Sequence, residues 1–205
     1  MNNNLGSLIY TLFNPLLLTT YLAMIFMLSP FGDVINVVYS KEIALPSLLV
    51  ILFTSTVFSS FLIAADIAIS KNVALTFLYK NKKTIALCMA LIPYLLFYFY
   101  LRHIVLTEIL SDYFLGLTIM SLATIIASRF CDISLYGLGC GALCGGIAIM
   151  SVFLSQRFLI VFIAAIVLAG IIGEIEKRRC TPIVYCNSFI VGLTAMALFL
   201  GILNI

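Results

Sequence analysis

The sequence predicts an all-α fold: a polytopic transmembrane bundle of six to seven helices that forms a single membrane domain over residues 1–205. Hydrophobic residues make up 64% of the chain and charged residues only 9%, whereas a typical soluble domain has about 45–50% and about 25%. The apolar residues lie in unbroken runs close to the ~20 residues that a spanning helix needs. These runs are continuously apolar, whereas the strands of a membrane β-barrel alternate apolar and polar residues. The composition therefore excludes the soluble globular, disordered and disulfide-stabilised classes.

Seven apolar segments are predicted as spans. The first ends at Pro30-Phe31-Gly32-Asp33, a proline- and glycine-containing turn that breaks a helix. The last is preceded by Thr181 and Pro182, which suit a helix cap and a first helical turn. The seven segments cover about residues 5–28, 46–69, 84–101, 113–127, 133–154, 158–173 and 184–202.

The basic residues divide unequally between the two faces that seven spans would create. Eight of the 11 lie on the face that holds the N-terminus, and the other three are Lys41, Arg102 and Arg157. By the positive-inside rule the richer face is cytoplasmic. This count places the C-terminus outside.

A stripe of small residues lies in the first half of the fifth span. Gly137, Gly141 and Gly145 recur every four residues, so they share one face of a helix and allow a neighbouring backbone to approach closely. We predict a helix-packing role for these three glycines. The alternative is a backbone that bends or meets a ligand at the mouth of this span.

The six cysteines invite a metal hypothesis, but their spacing does not favour one. No pair has the Cys-x-x-Cys spacing of structural zinc sites. The single histidine, His103, lies near the opposite face from Cys131 and Cys180. We expect no metal and no cofactor, and we interpret the cysteines as small apolar side chains.

One acidic residue falls inside a predicted span. Asp66 lies near the end of the second span, and an intramembrane acid is costly and often functional. This residue makes a small transporter or channel subunit one hypothesis. The alternative is a structural ion pair with Lys71, which is close in sequence.

Two basic clusters precede helices on the same face of the predicted bundle. Lys82 and Lys83 precede the third span, and Arg178 and Arg179 precede the last. Cations beside a helix N-terminus suit an anion, so these four residues predict a phosphate or lipid-headgroup site. The alternative is a positive-inside anchor that contacts anionic lipid.

Three phrases follow one another along the chain with a spacing that resembles a known family. They read Phe13-Asn14-Pro15-Leu16-Leu17-Leu18-Thr19-Thr20-Tyr21, then Ile133-Ser134-Leu135-Tyr136-Gly137-Leu138-Gly139-Cys140-Gly141, and finally Gly173-Glu174 with Cys180-Thr181-Pro182-Ile183-Val184-Tyr185-Cys186-Asn187-Ser188-Phe189. In order and spacing they resemble a bacterial branch of the membrane-bound type 2 phosphatidic acid phosphatase superfamily.

The resemblance implies a six-helix core with a phosphate pocket at one membrane face. It also implies a nucleophilic histidine, a second histidine that protonates the leaving group, an orienting acid and phosphate-binding cations. The chain departs from the family at these catalytic positions, where it has Cys180, Tyr136, Val184 and Glu174. Cys180 stands at the position of the nucleophilic histidine, and a thiolate beside cations can attack phosphorus. Family active sites also generally face away from the cytoplasm, whereas the charge distribution places this face inside.

We therefore expect a catalytically degenerate bundle, a pseudoenzyme integral to a bacterial cytoplasmic (inner) membrane. Its expected partners are membrane lipid and either a membrane-protein partner or further copies of itself. The net charge of +3 is too small to indicate a nucleic-acid partner. The alternatives are an active lipid-phosphate or isoprenoid-pyrophosphate phosphatase and the transporter based on Asp66.

Overall fold

The structure is a computed structural model that describes residues 21, 82–103, 108–153, 158–177 and 180–203. Across these ranges the chain forms five α-helices and no strand, in agreement with the predicted all-α class. The helices are α1 (Lys82–His103), α2 (Glu108–Ala127), α3 (Leu135–Phe153), α4 (Phe158–Glu176) and α5 (Pro182–Leu203). The predicted spans 5–28 and 46–69 lie outside the described residues, apart from Tyr21.

Four of these helices are long and apolar enough to cross a membrane. The candidate spans are Leu110–Ala127, Leu135–Val152, Leu159–Glu176 and Pro182–Leu203, in α2 to α5. They match the last four predicted spans, and α1 matches the third predicted span as a helix. The all-helical class is therefore confirmed, with four candidate membrane-spanning helices, while the total of six to seven spans stays a prediction.

Helices α2 and α4 extend beyond the apolar segments that predict them. α2 begins at Glu108, whereas the apolar pattern begins at Tyr113, and α4 continues to Glu176, whereas the pattern ends at Gly173. An acid in the first turn of a helix is favoured by the positive end of the helix dipole, so α2 can begin on polar residues. Apolar runs mark the membrane-facing length of a helix and miss its polar ends.

Helices α1 and α2 pack as an antiparallel pair with an aromatic core. The ring of Phe97 in α1 meets the ring of Phe114 in α2 edge-on, with centroids 5.1 Å apart. Leu101 and Leu110, each one turn closer to the connection between the helices, are fully buried. Residues later in α1 therefore lie at the level of residues earlier in α2, as in an antiparallel hairpin.

Helix α3 packs most extensively against α5 and also packs against α4, while α5 in addition contacts α2. Helix α5 buries one stripe and leaves the opposite side exposed; the buried residues are Tyr185, Ser188, Gly192, Met196 and Leu200. Their spacing of three or four residues is that of a single helix face. The first turns of α3 and α5 and the last turn of α4 meet at one end of the bundle.

Candidate functional site

The contact between α3 and α5 is made by backbone atoms, because glycine lies at the points of closest approach. A Cβ atom on Gly137 would lie 2.6 Å from the carbonyl oxygen of Tyr185, and one on Gly145 would lie 2.6 Å from that of Leu193. A Cβ on Gly141 would meet the backbone of α5 between them. The three glycines named by the sequence all lie on this contact. It fixes the relative position of the two helices.

Ser134 joins the beginning of α3 to α5. Its hydroxyl oxygen accepts a 3.0 Å hydrogen bond from the backbone N–H of Gly137, which makes Ser134 the N-cap of α3. Its own backbone N–H donates a 2.9 Å bond to the hydroxyl oxygen of Ser188 in α5. Ser188 in turn donates to the carbonyl oxygen of Val184 at 2.7 Å. The N-terminus of α3 is therefore tied to the second turn of α5.

Glu176 adds the end of α4 to this connection. Its carboxylate is buried, with 6% of the residue exposed, and Oε2 accepts a 3.0 Å hydrogen bond from the Ser134 hydroxyl. The positive end of the α3 dipole lies beside this negative charge, which favours it. Just after α4, the backbone N–H of Cys180 donates to the carbonyl oxygen of Glu176 at 3.1 Å. Three helix ends therefore converge on one buried carboxylate.

Tyr185 makes a second connection, which meets α4 about two turns before its end. Its hydroxyl donates a 2.6 Å hydrogen bond to the carbonyl oxygen of Ala169 in α4, and the thiol of Cys140 in α3 lies within hydrogen-bonding reach of the same hydroxyl. Its ring also covers Gly173, where a Cβ would lie 2.8 Å from the ring edge. Helices α3, α4 and α5 are thus joined at two successive levels.

The four family-equivalent positions lie at this same end of the bundle, but in different surroundings. Tyr136, Cys180 and Val184 are half-buried. Glu174 is exposed, and its carboxylate pairs with the ammonium of Lys177 at 2.5 Å. The carboxylate at the centre of the convergence is Glu176, two residues further along. The geometry therefore gives Glu176, and not Glu174, the central place at this end.

The other residues predicted for a site fall largely outside the structure. Lys82 and Lys83 form the first turn of α1, and their side chains are not among the described residues. Arg178, Arg179 and Asp66 lie outside the described ranges. A phosphate or headgroup site built from the four basic residues, and an intramembrane role for Asp66, stay predictions.

A metal site finds no support within the described part of the chain. No three side chains of the His, Cys, Asp and Glu types gather closely enough there to hold an ion. Cys140 and Cys144 are buried, while Cys88, Cys131 and Cys186 are exposed. The expectation that the cysteines are mainly buried apolar residues is therefore wrong for those three. Their positions, on the outer faces of helices and in a loop, cannot be read from residue type.

Sequence reasoning did not single out the residues that hold this end together. Ser134, Ser188 and Tyr185 occur in the quoted phrases without a predicted role, and Glu176 is not among the predicted site residues. One signal was available for Ser134, since serine directly before a helical run is a strong N-cap. The burial of Glu176 depends on the packing of three helices and has no local signal.

Comparison of the chain with protein-family models, with curated proteins and with solved structures finds no match. The resemblance to the type 2 phosphatidic acid phosphatases therefore rests on the three sequence phrases alone, and the part of the chain described here establishes an all-helical membrane-type bundle with a polar junction at one end.

Proposed function

We propose that the protein is a catalytically degenerate relative of the type 2 phosphatidic acid phosphatases, with six to seven spans in a bacterial cytoplasmic membrane. It would bind a lipid headgroup or a partner membrane protein at the end of the bundle where α3 and α5 begin. The observation that carries the proposal is the buried junction of Ser134, Glu176 and Ser188.

The junction supports a structural role for polar groups at this end. The Ser134 hydroxyl is bound both to the Gly137 N–H and to the Glu176 carboxylate. A catalytic nucleophile needs a lone pair directed at substrate and a base beside it. The Ser134 hydroxyl instead caps α3 and donates to the carboxylate at the end of α4. These bonds contribute to the fold rather than to a reaction.

The charge at the family-equivalent positions also argues against phosphoryl transfer. Catalysis of that reaction needs cations around the transferring group. Glu174 stands at the position of a family arginine, and its carboxylate pairs with Lys177. A second carboxylate, Glu176, lies buried nearby. Neither carboxylate supplies the cation that stabilises the transferring group in phosphoryl transfer.

Headgroup binding is supported by the basic residues that the sequence places beside this junction. Arg178 and Arg179 follow Glu176 and Lys177 in the sequence and precede the start of α5 at Pro182. Helix N-termini favour anions, and each basic residue near an anionic leaflet contributes about 1 kcal/mol to lipid attraction. Lys82 and Lys83 begin α1. Together these four cations would favour an anionic lipid over a zwitterionic one.

Release of phosphate tests the loss of catalysis. The purified full-length protein in nanodiscs is incubated with phosphatidic acid or with undecaprenyl pyrophosphate, and inorganic phosphate is measured against empty nanodiscs. We expect no release above the empty discs. Release that disappears in Cys180→Ser would establish an active phosphatase and overturn the proposal. Release that persists in Cys180→Ser would point to a contaminant or to another site.

Lipid selectivity tests the headgroup site. Native mass spectrometry of the full chain compares retention of phosphatidic acid with that of phosphatidylcholine. Replacing Lys82, Lys83, Arg178 and Arg179 by glutamine should reduce the preference for phosphatidic acid by about tenfold or more. Arg102→Gln, at the other end of α1, is the matched control and should leave it nearly unchanged. Equal losses in the two variants would contradict a localised site.

Competition with free anions distinguishes a lipid ligand from a soluble one. If inorganic phosphate or pyrophosphate displaces phosphatidic acid at millimolar concentration, the phosphate group alone is recognised. If neither anion does so, the acyl chains contribute to binding and the ligand is the intact lipid.

A further inference from the structure

The connection between α2 and α3 exposes an aromatic side chain beside a cation. Residues 128–134 form this connection, from the end of α2 at Ala127 to the start of α3 at Leu135. Phe130 is 82% exposed, more than any other large apolar side chain among the described residues. Arg129 is also exposed, and no carboxylate in the described ranges pairs with its guanidinium.

Hydrogen bonds fix where these two residues lie. The backbone N–H of Arg129 donates to the carbonyl oxygen of Ile126 at 3.2 Å, and that of Phe130 donates to the carbonyl oxygen of Ala127 at 3.0 Å. Bonds of this spacing form a tighter helical turn, so the chain continues along the axis of α2 as far as Phe130. Beyond the connection, the start of α3 is held by the Ser134 cap.

The lengths of the flanking spans place Phe130 at the depth of the lipid headgroups. The candidate span Leu110–Ala127 has 18 residues, which is about 27 Å at ~1.5 Å per residue and close to the ~30 Å thickness of the hydrocarbon. Phe130 lies beyond the end of that span by about 6 Å at ~2.0 Å per residue, and each headgroup layer is about 5–7 Å thick. The next candidate span begins at Leu135, so the connection is too short to leave this layer by far.

We propose that the connection between α2 and α3 is a membrane-interface anchor, in which Phe130 inserts among phospholipid headgroups and the Arg129 guanidinium binds a lipid phosphate. Burial of a phenylalanine side chain is worth about 1.5–3 kcal/mol, and interfacial segments combine such rings with basic residues. The guanidinium fork matches phosphate oxygens. Asp132 is exposed in the same connection and balances the charge of Arg129, so the ring sets the depth.

The anchor is distinct from the headgroup site proposed above, because it uses none of the four basic residues of that site. It rests only on the membrane location proposed there. Its consequence concerns the junction of Ser134 and Glu176, which begins just after Phe130 in the sequence. An anchored connection holds that junction at the boundary between headgroups and acyl chains. This holds for either orientation, because both leaflets carry phosphate groups.

Tryptophan fluorescence measures the depth, because the chain contains no tryptophan of its own. Full-length Phe130→Trp is reconstituted into liposomes whose lipids are brominated either near the headgroup or near the end of the acyl chain. Quenching should be at least about twofold stronger with the shallow bromines. Val167→Trp is the matched control, since Val167 is 59% exposed near the middle of the candidate span Leu159–Glu176. It should show the opposite order.

A water-soluble quencher separates the other outcomes. Quenching of Phe130→Trp by acrylamide but by neither brominated lipid would place the connection in water and overturn the anchor. Protection from acrylamide and from both brominated lipids would mean that another segment of protein covers Phe130, which overturns it equally. If the deep bromines do not quench Val167→Trp, the membrane location is wrong, and the anchor with it.

Charge reversal tests the phosphate contact. In the Phe130→Trp background, Arg129→Glu should reduce quenching by the shallow bromines by about half, whereas Arg129→Lys, which keeps the positive charge, should retain most of it. Asp132→Asn is the control for a charge change in the same connection and should not reduce the quenching. Quenching that is unchanged in Arg129→Glu, or reduced equally in Asp132→Asn, would overturn the role of the guanidinium.

Discussion

The hydroxyl of Ser134 donates a 3.0 Å hydrogen bond to the carboxylate of Glu176, from the N-cap of α3 to the last residue of α4. Because the Ser134 backbone N–H also donates to Ser188, this one pair connects three helices. Both residues are buried. A polar pair of this kind holds helix ends in place in a bundle whose helices otherwise contact through apolar side chains and glycine.

The first prediction concerns the stability that Glu176 contributes. Glu176→Ala removes the acceptor of the Ser134 hydroxyl and should lower the free energy of unfolding by about 1–3 kcal/mol. Glu174→Ala is the control, since Glu174 is exposed and its pair with Lys177 is solvated, so the change should be within about 0.5 kcal/mol. Thermal unfolding of both variants in the same detergent measures the difference. Equal effects would show that the buried bond contributes little.

The second prediction concerns the glycine contact between α3 and α5. Gly141→Ala would place a Cβ 2.8 Å from the backbone nitrogen of Leu193 and closer still to the carbonyl of Phe189. Backbone atoms cannot move aside as a side chain can, so the helices must separate at a cost of about 1–3 kcal/mol or more. The melting temperature should fall by several degrees, at about 2–4 °C per kcal/mol.

Gly170 provides the matched control for this substitution. It lies in α4, where a Cβ would meet nothing within 4 Å. Gly170→Ala should therefore be neutral, or stabilising by up to about 1 kcal/mol through the greater helix propensity of alanine. If Gly141→Ala proves as harmless as Gly170→Ala, the two helices do not approach as closely as the structure describes.

The third prediction concerns the hydroxyl of Tyr185. Tyr185→Phe keeps the ring over Gly173 and removes the 2.6 Å bond to the Ala169 carbonyl together with the contact to the Cys140 thiol, so we expect a loss of about 0.5–1.5 kcal/mol. Tyr98→Phe is the comparison, because the Tyr98 hydroxyl accepts an exposed bond from Arg102 at 2.8 Å, and its removal should cost less. Thermal unfolding checks both. A larger loss for Tyr98→Phe would contradict the importance of the deeper connection.

The helices of this bundle were predictable because membrane solvation acts on each segment separately. A run such as 158–173 must be helical to satisfy its own backbone in lipid, whatever surrounds it, and α4 covers that run. The spacing of Gly137, Gly141 and Gly145 likewise determines which face of α3 lacks side chains and lets a neighbouring backbone approach. These properties depend on residues that are near one another in sequence.

The polar junction was not predictable in the same way. Ser134 and Glu176 are separated by 42 positions, and nothing local distinguishes Glu176 from the exposed Glu174 two residues earlier. Only the helix packing decides which of the two carboxylates is buried. The burial of the cysteines could not be predicted from residue type either, since Cys140 is buried and Cys186, with the same side chain, is exposed.

The last prediction concerns orientation in the membrane. Cys131 is exposed in the connection between α2 and α3, on the face that carries eight of the 11 basic residues. If the positive-inside rule places this face in the cytoplasm, a membrane-impermeant maleimide should label Cys131 only after cells are permeabilised. The test uses full-length protein in which Cys88, Cys180 and Cys186 are serine.

Two further variants make the labelling result decisive. Replacing Cys131 by serine in the same background gives the blank, because the remaining Cys140 and Cys144 are buried and should not react. Thr107→Cys, in the connection between α1 and α2, reports the opposite face and should react in intact cells. The reverse pattern would place the junction of Ser134 and Glu176 at the outer surface. That is the side on which the phosphatase family works, and it would mean that the distribution of basic residues does not set the orientation of this chain.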